Sequence, residues 1–307
     1  MKSAYLALGY TCNHKCLTCP LTTFDRMHRD FTYEDMIQSI GNSNLKPHDH
    51  VTISGGEPTL NQSFFSLLEY LNHLGVHITI LSNATQFADT SMVERLKTVI
   101  DVSRCNIVTA IHSADREIHD RLTDSADSFD ETLSGVKKLV TAGIPLCIKN
   151  IINGINYEKL DKFAEFIIDS FPPLVEVQFC VMDYSGRAAK NLDLLAVDFR
   201  DIGVHLEKAL DVFETKECER MRKISIIESP LCMVDPYYWK YFERTSNRLG
   251  LYVAPNSETK NNASYDVENL CNTSYSECEK CRAKEICPGV WNSSYQVLGK
   301  HSLRPFL

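Results

Sequence analysis

No stretch of the chain has the roughly 18 consecutive apolar residues that a membrane span needs. Its opening, Met1-Lys2-Ser3, runs almost at once into an apolar strand, without the charged n-region and long apolar h-region of a secretory signal. There is no internal repeat, no low-complexity segment and no basic stripe. Lysine and arginine number 32 against 40 aspartates and glutamates, a formal net charge of −8, so nucleic acid is not an expected partner. The expected location is therefore the cytoplasm, with no membrane partner. With 44% hydrophobic and 23% charged residues, the 307-residue chain has the composition of an ordinary globular protein. It is long enough for one large core with a smaller appendage, or for two domains.

Cysteine is what the chain has in excess, with twelve of them. In a chain without a secretory signal, clustered cysteines point to metal binding rather than to disulfides. Cys12, Cys16 and Cys19 form one group at C-x3-C-x2-C spacing, directly after the apolar segment Ala4 to Gly9. Cys271, Cys278, Cys281 and Cys287 form a second group, and Cys218 and Cys232 lie between. Cys105, Cys147 and Cys180 sit on apolar strands and read as small core residues. Three thiolates on one loop can hold three irons of a [4Fe–4S] cube and leave the fourth open to a non-protein ligand. An open metal position marks a reactive site. A zinc site is the competing reading of the first group, but no fourth ligand lies nearby. His14 is read as a loop residue at the edge of the cluster.

The remainder of the first 200 residues alternates strands and helices. Strands are expected at 4–9, 51–54, 77–81, 106–111, 145–151 and 175–181, with helices between them showing i, i+3, i+4, i+7 apolar spacing. The clearest helix start is Ser128, with Glu131 three residues on as a capping box. Six such units predict a partial (β/α)6 TIM-like barrel. Ligand sites in barrels gather where strands end. Cys12 to Cys19, Gly55-Gly56-Glu57-Pro58 and Ser82-Asn83-Ala84-Thr85 all follow strands, so they are expected to meet in space. Beyond about residue 197 the rhythm is lost. The expected division is a barrel at 1–200 and a small cysteine-rich, cluster-binding domain at 201–307.

The cysteine triad, followed 36 residues later by Gly55-Gly56-Glu57-Pro58, resembles the radical S-adenosylmethionine (SAM) enzymes. The resemblance implies that the amine and carboxylate of SAM chelate the open iron of the Cys12/Cys16/Cys19 cluster. The glycines would let the backbone approach the ligand, and Glu57 with a neighbouring carbonyl would receive the SAM ammonium. Ser82 and Asn83 match a polar tip near the methionine portion; Ser113, Lys149 and Asn150 match places that contact ribose or carboxylate. Reductive cleavage of SAM would give a 5′-deoxyadenosyl radical that abstracts hydrogen from a C–H bond, while the protein orients the substrate.

Cys278-x2-Cys281-x5-Cys287-x-Gly289 is similar to the SPASM or "twitch" tails of this superfamily, which implies one auxiliary [4Fe–4S] cluster. A zinc knuckle is the physical alternative. Cys232, within Pro230-Leu231-Cys232, and Cys271 compete for its fourth ligand position. A cysteine left over among Cys232, Cys271 and Cys218 is a candidate hydrogen-atom donor. Chains with such tails commonly modify ribosomally made peptides, by epimerisation or by thioether or C–C cross-links, and others act on small molecules. The implied partners are a peptide or small-molecule substrate and an electron donor such as a flavodoxin or ferredoxin. A non-catalytic iron–sulfur or zinc module is the remaining alternative.

Overall fold

The computed structural model describes residues 3–21, 30–217, 222–243, 250–253, 271–273 and 275–307. Strands β1 (Ser3–Ala7), β2 (His50–Ser54), β3 (His77–Leu81), β4 (Cys105–Ala110), β5 (Leu146–Ile152) and β6 (Glu176–Val181) pair in parallel, each with the next. Parallel neighbours need crossover connections. Helices α1 (Tyr33–Ser43), α2 (Phe64–His73), α3 (Thr90–Val99), α4 (Arg116–Thr123), α5 (Ser128–Thr141) and α6 (Leu160–Ser170) fill them. This is the expected α/β architecture, a partial barrel.

The sheet is larger than the six expected strands. β7 (Ile224–Ile227) extends it beyond β6, and β8 (Gly250–Val253) pairs with β1 at the other edge, giving the order β7-β6-β5-β4-β3-β2-β1-β8. Both edge strands are only four residues long and carry no β/α rhythm of their own. They come from beyond residue 200, so the sheet crosses the expected division at 200/201. The other elements are α7 (Leu192–Leu195), α8 (Phe199–Lys216), α9 (Asn292–Leu298) and a two-stranded antiparallel ribbon of β9 (Cys271–Asn272) and β10 (Val290–Trp291).

Strand alternation decides which face holds the core. Ala4, Leu6, Val51, Ile53, Ile78, Ile80, Ile107, Ile148 and Phe179 are buried under the helices; Phe179, for example, meets Phe163 of α6 edge-on. The alternate positions Tyr5, Thr52, Thr79 and Asn106 stand in register on the inner face, where they are half-buried. Parallel strands covered on both faces read as continuous apolar runs. Polar residues at every second position are the mark of a face left for something other than core.

One helix start differs from expectation. The Ser128–Glu131 capping box does not form; Asp127 is the N-cap, with φ 61°, and Ser128 is the first helical residue. The cap is supplied from α4 instead. The Asp120 carboxylate accepts the N–H groups of Phe129 (2.7 Å) and Asp127 (3.2 Å) and the Ser128 hydroxyl (2.7 Å). A charged acceptor delivered by tertiary structure displaces the local hydroxyl. A capping box does close α1, where Thr32 and Asp35 exchange hydrogen bonds. Among the described residues no helix is long and apolar enough to cross a membrane.

Candidate active site at the strand ends

Cys12, Cys16 and Cys19 lie half-buried on the loop after β1. That loop is held mainly by backbone contacts from distant elements. Lys15 N–H donates to Thr123 O (3.0 Å) and Leu17 N–H to Leu122 O (2.8 Å), at the end of α4. Arg187 N–H donates to Cys19 O (2.9 Å). The Arg187 guanidinium reaches Lys15 O and pairs with Asp124 at 2.8 Å. The Cys12 sulfur accepts His14 N–H (3.4 Å), a contact that favours a thiolate. His14, expected as a loop residue at the edge of the cluster, is buried at 3% exposure, within electrostatic reach of His112 and His119. Those two imidazoles lie 5.4 Å apart, and burial pushes each down to about 3.

The glycine motif packs against this loop. Gly56 N–H donates to Gly9 O (2.9 Å) and Glu57 N–H to Thr11 O (2.8 Å). A Cβ on Gly55 would stand 2.2 Å from Gly9 O, and one on Gly56 2.1 Å from Thr11 O. The close approach that needs glycine here is therefore to the cysteine loop's own backbone. Glu57 also differs from expectation. Its Oε1 accepts from Thr59 N–H (3.1 Å), Thr59 Oγ1 (2.6 Å) and Ser82 Oγ (2.8 Å), and its Oε2 from Asn83 N–H (2.7 Å). Burial pushes its pKa up while these four bonds pull it down. Every one of those neighbours donates, which suits the carboxylate form. Glu57 brackets the β2 and β3 loops together, and Pro58 opens the single 3-10 turn that follows.

Asn83 carries the connection onward. Its Nδ2 donates to Asn13 Oδ1 (2.8 Å), Asn13 Nδ2 donates to Thr85 Oγ1 (2.8 Å), and Thr85 returns a hydrogen bond to Asn83 Oδ1 (2.9 Å). The three loops thus meet in one network. Of the remaining sequence candidates, Asn150 is fully buried, with its amide nitrogen donating to Ile111 O (3.1 Å) and His112 O (3.0 Å). Ser113 is buried and accepts Asp115 N–H (3.1 Å). Asn150 thereby holds the end of β4 and stands on the helix side of β5, in register with buried Phe179, whereas Ser113 is bonded within the turn before α4. Lys149 is half-buried on the inner face, in register with Gln178, and within electrostatic reach of Tyr5. Tyr5, Asn13 and Arg187 escaped the sequence reading. Their partners lie 47 to 172 residues away, so no local spacing announces them.

The second cysteine group lines a separate pocket, partly open to solvent. Cys232, Cys278, Cys281 and Cys287 all line it. The Cys287 sulfur accepts N–H from Leu231 and from Gly289, both at 3.4 Å. Burial pushes Cys232 up to about 12 and Cys278 to about 11, and the neighbouring thiols push the same way. Four cysteines lining one pocket, with amide donors aimed at the Cys287 sulfur, form a donor set suited to a thiophilic metal centre. Among the described residues no three metal-binding side chains converge as ligands of a single ion do. Cys271 opens β9, with its backbone opposite Trp291. Cys218 lies outside the described residues.

Comparison with known proteins places this geometry. The family model described as the Radical SAM superfamily matches residues 6–168, more than half of the chain. A probable GTP 3′,8-cyclase of Methanocella arvoryzae is 24% identical over 251 residues, covering 81% of this chain and 78% of the relative. Native anSMEcpe with bound AdoMet and Cp18Cys peptide superposes with a TM-score of 0.67 at 15% identity, over 100% of this chain and 93% of that one. Streptococcus suis SuiB bound to precursor peptide SuiA gives 0.56 at 18% identity, over 70% of this chain and 46% of SuiB, about half its length. Identities this low speak for the fold alone. The family match, by contrast, spans the stretch from β1 to α6 that carries the cysteine triad and the glycine motif, and the chain belongs to the radical SAM superfamily.

Proposed function

We propose that the chain is a radical SAM enzyme that modifies a ribosomally made peptide, by epimerisation or by a thioether or C–C cross-link. Cys12, Cys16 and Cys19 hold the [4Fe–4S] cluster, and the loops carrying Gly55 to Pro58 and Ser82-Asn83 receive SAM beside it. With Glu57 held in its bracket and the Asn83 side chain held by Asn13 and Thr85, the carbonyls of the glycine turn are the groups offered to the ligand's methionine portion. When bound, cluster and SAM together supply the radical that takes hydrogen from the substrate carbon.

Cys232, Cys278, Cys281 and Cys287 hold one auxiliary [4Fe–4S] cluster in a SPASM or twitch-like tail, which makes Cys232 the fourth ligand. Four thiolates leave no iron of a cube open, so this cluster passes electrons rather than gripping substrate. Cys232 is then no longer a spare thiol, and Cys218 and Cys271 remain as hydrogen-atom donor candidates. The electron donor is a flavodoxin- or ferredoxin-like protein.

The observation that carries the peptide reading is the inner face. Lys149 is the one lysine or arginine in strands β1 to β7, and the inner face also carries Tyr5, Thr52, Thr79, Asn106 and Gln178, with Thr79 bonded to His50 and Asn106. Neutral donors and acceptors suit backbone amides, whereas a triphosphate calls for a cluster of cations. The resemblance of nearly the whole chain to a peptide-bound structure points the same way. A small-molecule substrate is the second reading, favoured by the relatives named GTP 3′,8-cyclase. The test is to incubate anaerobically reconstituted protein with SAM, dithionite and GTP, and separately to co-express it with the peptides encoded beside its gene. A mass change or a D-residue in one such peptide, with GTP left intact, is expected. Conversion of GTP in step with 5′-deoxyadenosine would replace the peptide reading with the small-molecule one.

A further inference from the structure

The C-terminal cysteine pocket and the N-terminal cysteine loop are joined by one short piece of chain, residues 182–187, which follows β6. Its first half is gripped by α9, the helix that comes directly after Cys287 and β10. Ser293 Oγ donates to Asp183 Oδ1 (2.5 Å) and accepts Tyr184 N–H (3.0 Å). Ser294, fully buried, donates to Met182 O (2.5 Å). Asp183 stiffens the segment further by accepting Ser185 N–H (3.1 Å) and Ser185 Oγ (2.8 Å). The buried Tyr184 hydroxyl is tied to Leu195 O and Val197 N–H, both at 3.3 Å.

Its second half grips the cysteine loop. Arg187 N–H donates to Cys19 O, and the Arg187 guanidinium reaches Lys15 O. Gly186 (φ 58°) packs so closely that a Cβ there would lie 1.9 Å from Pro20 O. Backbone pressed on backbone leaves no soft side chain to absorb a displacement.

We infer that residues 182–187 form a rigid link through which the C-terminal cysteine pocket sets the position of Cys19, with Asp183 and Ser293 as positioning residues. This rests on the reading above that the pocket holds a cluster. Cysteine placement and hydrogen bonding tune an iron–sulfur centre, so the link makes the N-terminal cluster responsive to the loading of the other. Such a coupling is read as non-additivity between the two sites.

The experiment uses the full-length, anaerobically reconstituted protein. It compares Asp183→Ala, Asp183→Asn, Ser293→Ala and the pair Cys278→Ala/Cys281→Ala, alone and combined with Asp183→Ala. Each is read by iron content, by the EPR spectrum of the reduced N-terminal cluster before and after SAM, and by the rate of 5′-deoxyadenosine formation without substrate. Asp183→Ala is expected to keep about eight irons while changing the SAM-induced EPR shift and slowing cleavage about tenfold, within the range that packed networks transmit. Ser293→Ala should do the same, and it is the milder variant should Asp183→Ala fold poorly. Asp183→Asn keeps an acceptor for Ser293 and should restore both readouts. Once Cys278 and Cys281 are gone, Asp183→Ala should cost nothing more. Wild-type spectra and rates in Asp183→Ala and Ser293→Ala, or losses that simply multiply in the combined variant, would overturn the link. Wild-type protein that holds only about four irons overturns the cluster reading instead, and with it the role of loading, while the single variants still decide whether the segment positions Cys19.

Discussion

The two cysteine sites are built in opposite ways. At the N-terminal site the three thiols are neighbours in sequence, but almost everything that holds them is remote. The loops at the ends of β2, β3, α4 and β6 each exchange hydrogen bonds with a loop of a dozen residues, with partners as far as 172 positions away. At the C-terminal site three thiols are again close in sequence, and the fourth, Cys232, is brought to them by the turn after β7. There the sulfurs themselves receive amide N–H groups, two of them on Cys287. A site braced through its backbone can keep its shape while one metal position stays open. A site lined by four thiols would, on the proposed reading, be completed by metal.

Alanine substitution of the cysteines breaks this contrast most severely. Replacing Cys12, Cys16 and Cys19 should abolish 5′-deoxyadenosine formation and lower iron from about eight to about four per chain. Cys278→Ala with Cys281→Ala should lose the same amount of iron yet leave SAM cleavage detectable, by iron assay and chromatography. The membership of the second site is sharpened next. Cys232→Ala should lose the auxiliary cluster and Cys271→Ala should keep it, as read by iron content and EPR.

The bracing of the first site can be broken without touching a ligand. Gly56→Ala places a Cβ 2.1 Å from Thr11 O, so it should cost about 3 kcal/mol or more, with strain and lost contacts together. Urea unfolding followed by circular dichroism measures it. Glu57→Gln turns an acceptor facing four donors into a group that is itself partly a donor. About 1–3 kcal/mol is expected there, measured in the same way.

The buried imidazoles beneath the loop give the contrast a pH dependence. Burial lowers His112 and His119 from 6.5 to about 3, so between those values the unfolded chain binds more protons than the native one. Their contribution to stability is complete above about pH 6.5 and is lost as the pH falls toward 3. Replacing His119 with Asn should flatten that part of a stability–pH profile, because His119 no longer charges in the unfolded chain.

How much of this was legible in the sequence depended on distance. The β/α rhythm, the inner strands and the two cysteine groups were readable because apolar periodicity and ligand spacing are local properties. Short edge strands such as β7 and β8 escaped because four residues carry too little periodicity to count. Ser128 was a sound capping candidate by local chemistry, and it lost to an Asp120 carboxylate eight residues back that only the α4–α5 packing delivers. Asn150 is a ligand candidate only through the resemblance, which puts it at a place that contacts ribose or carboxylate. In an alternating strand one residue's shift in facing sends a side chain to the helix side, and there its amide is taken by two carbonyls.

The sequence by itself determined the reaction class, since three thiols at one spacing and a glycine turn at another are covalent facts that folding cannot alter. Only the tertiary structure decided what those residues touch. The Gly55-Gly56 pair meets backbone, Glu57 is spent within the protein, Cys232 joins the second cysteine group, and residues 182–187 bind one cysteine site to the other. Each of these is a contact made across tens to more than a hundred residues, where spacing along the chain carries no information and packing in space carries all of it.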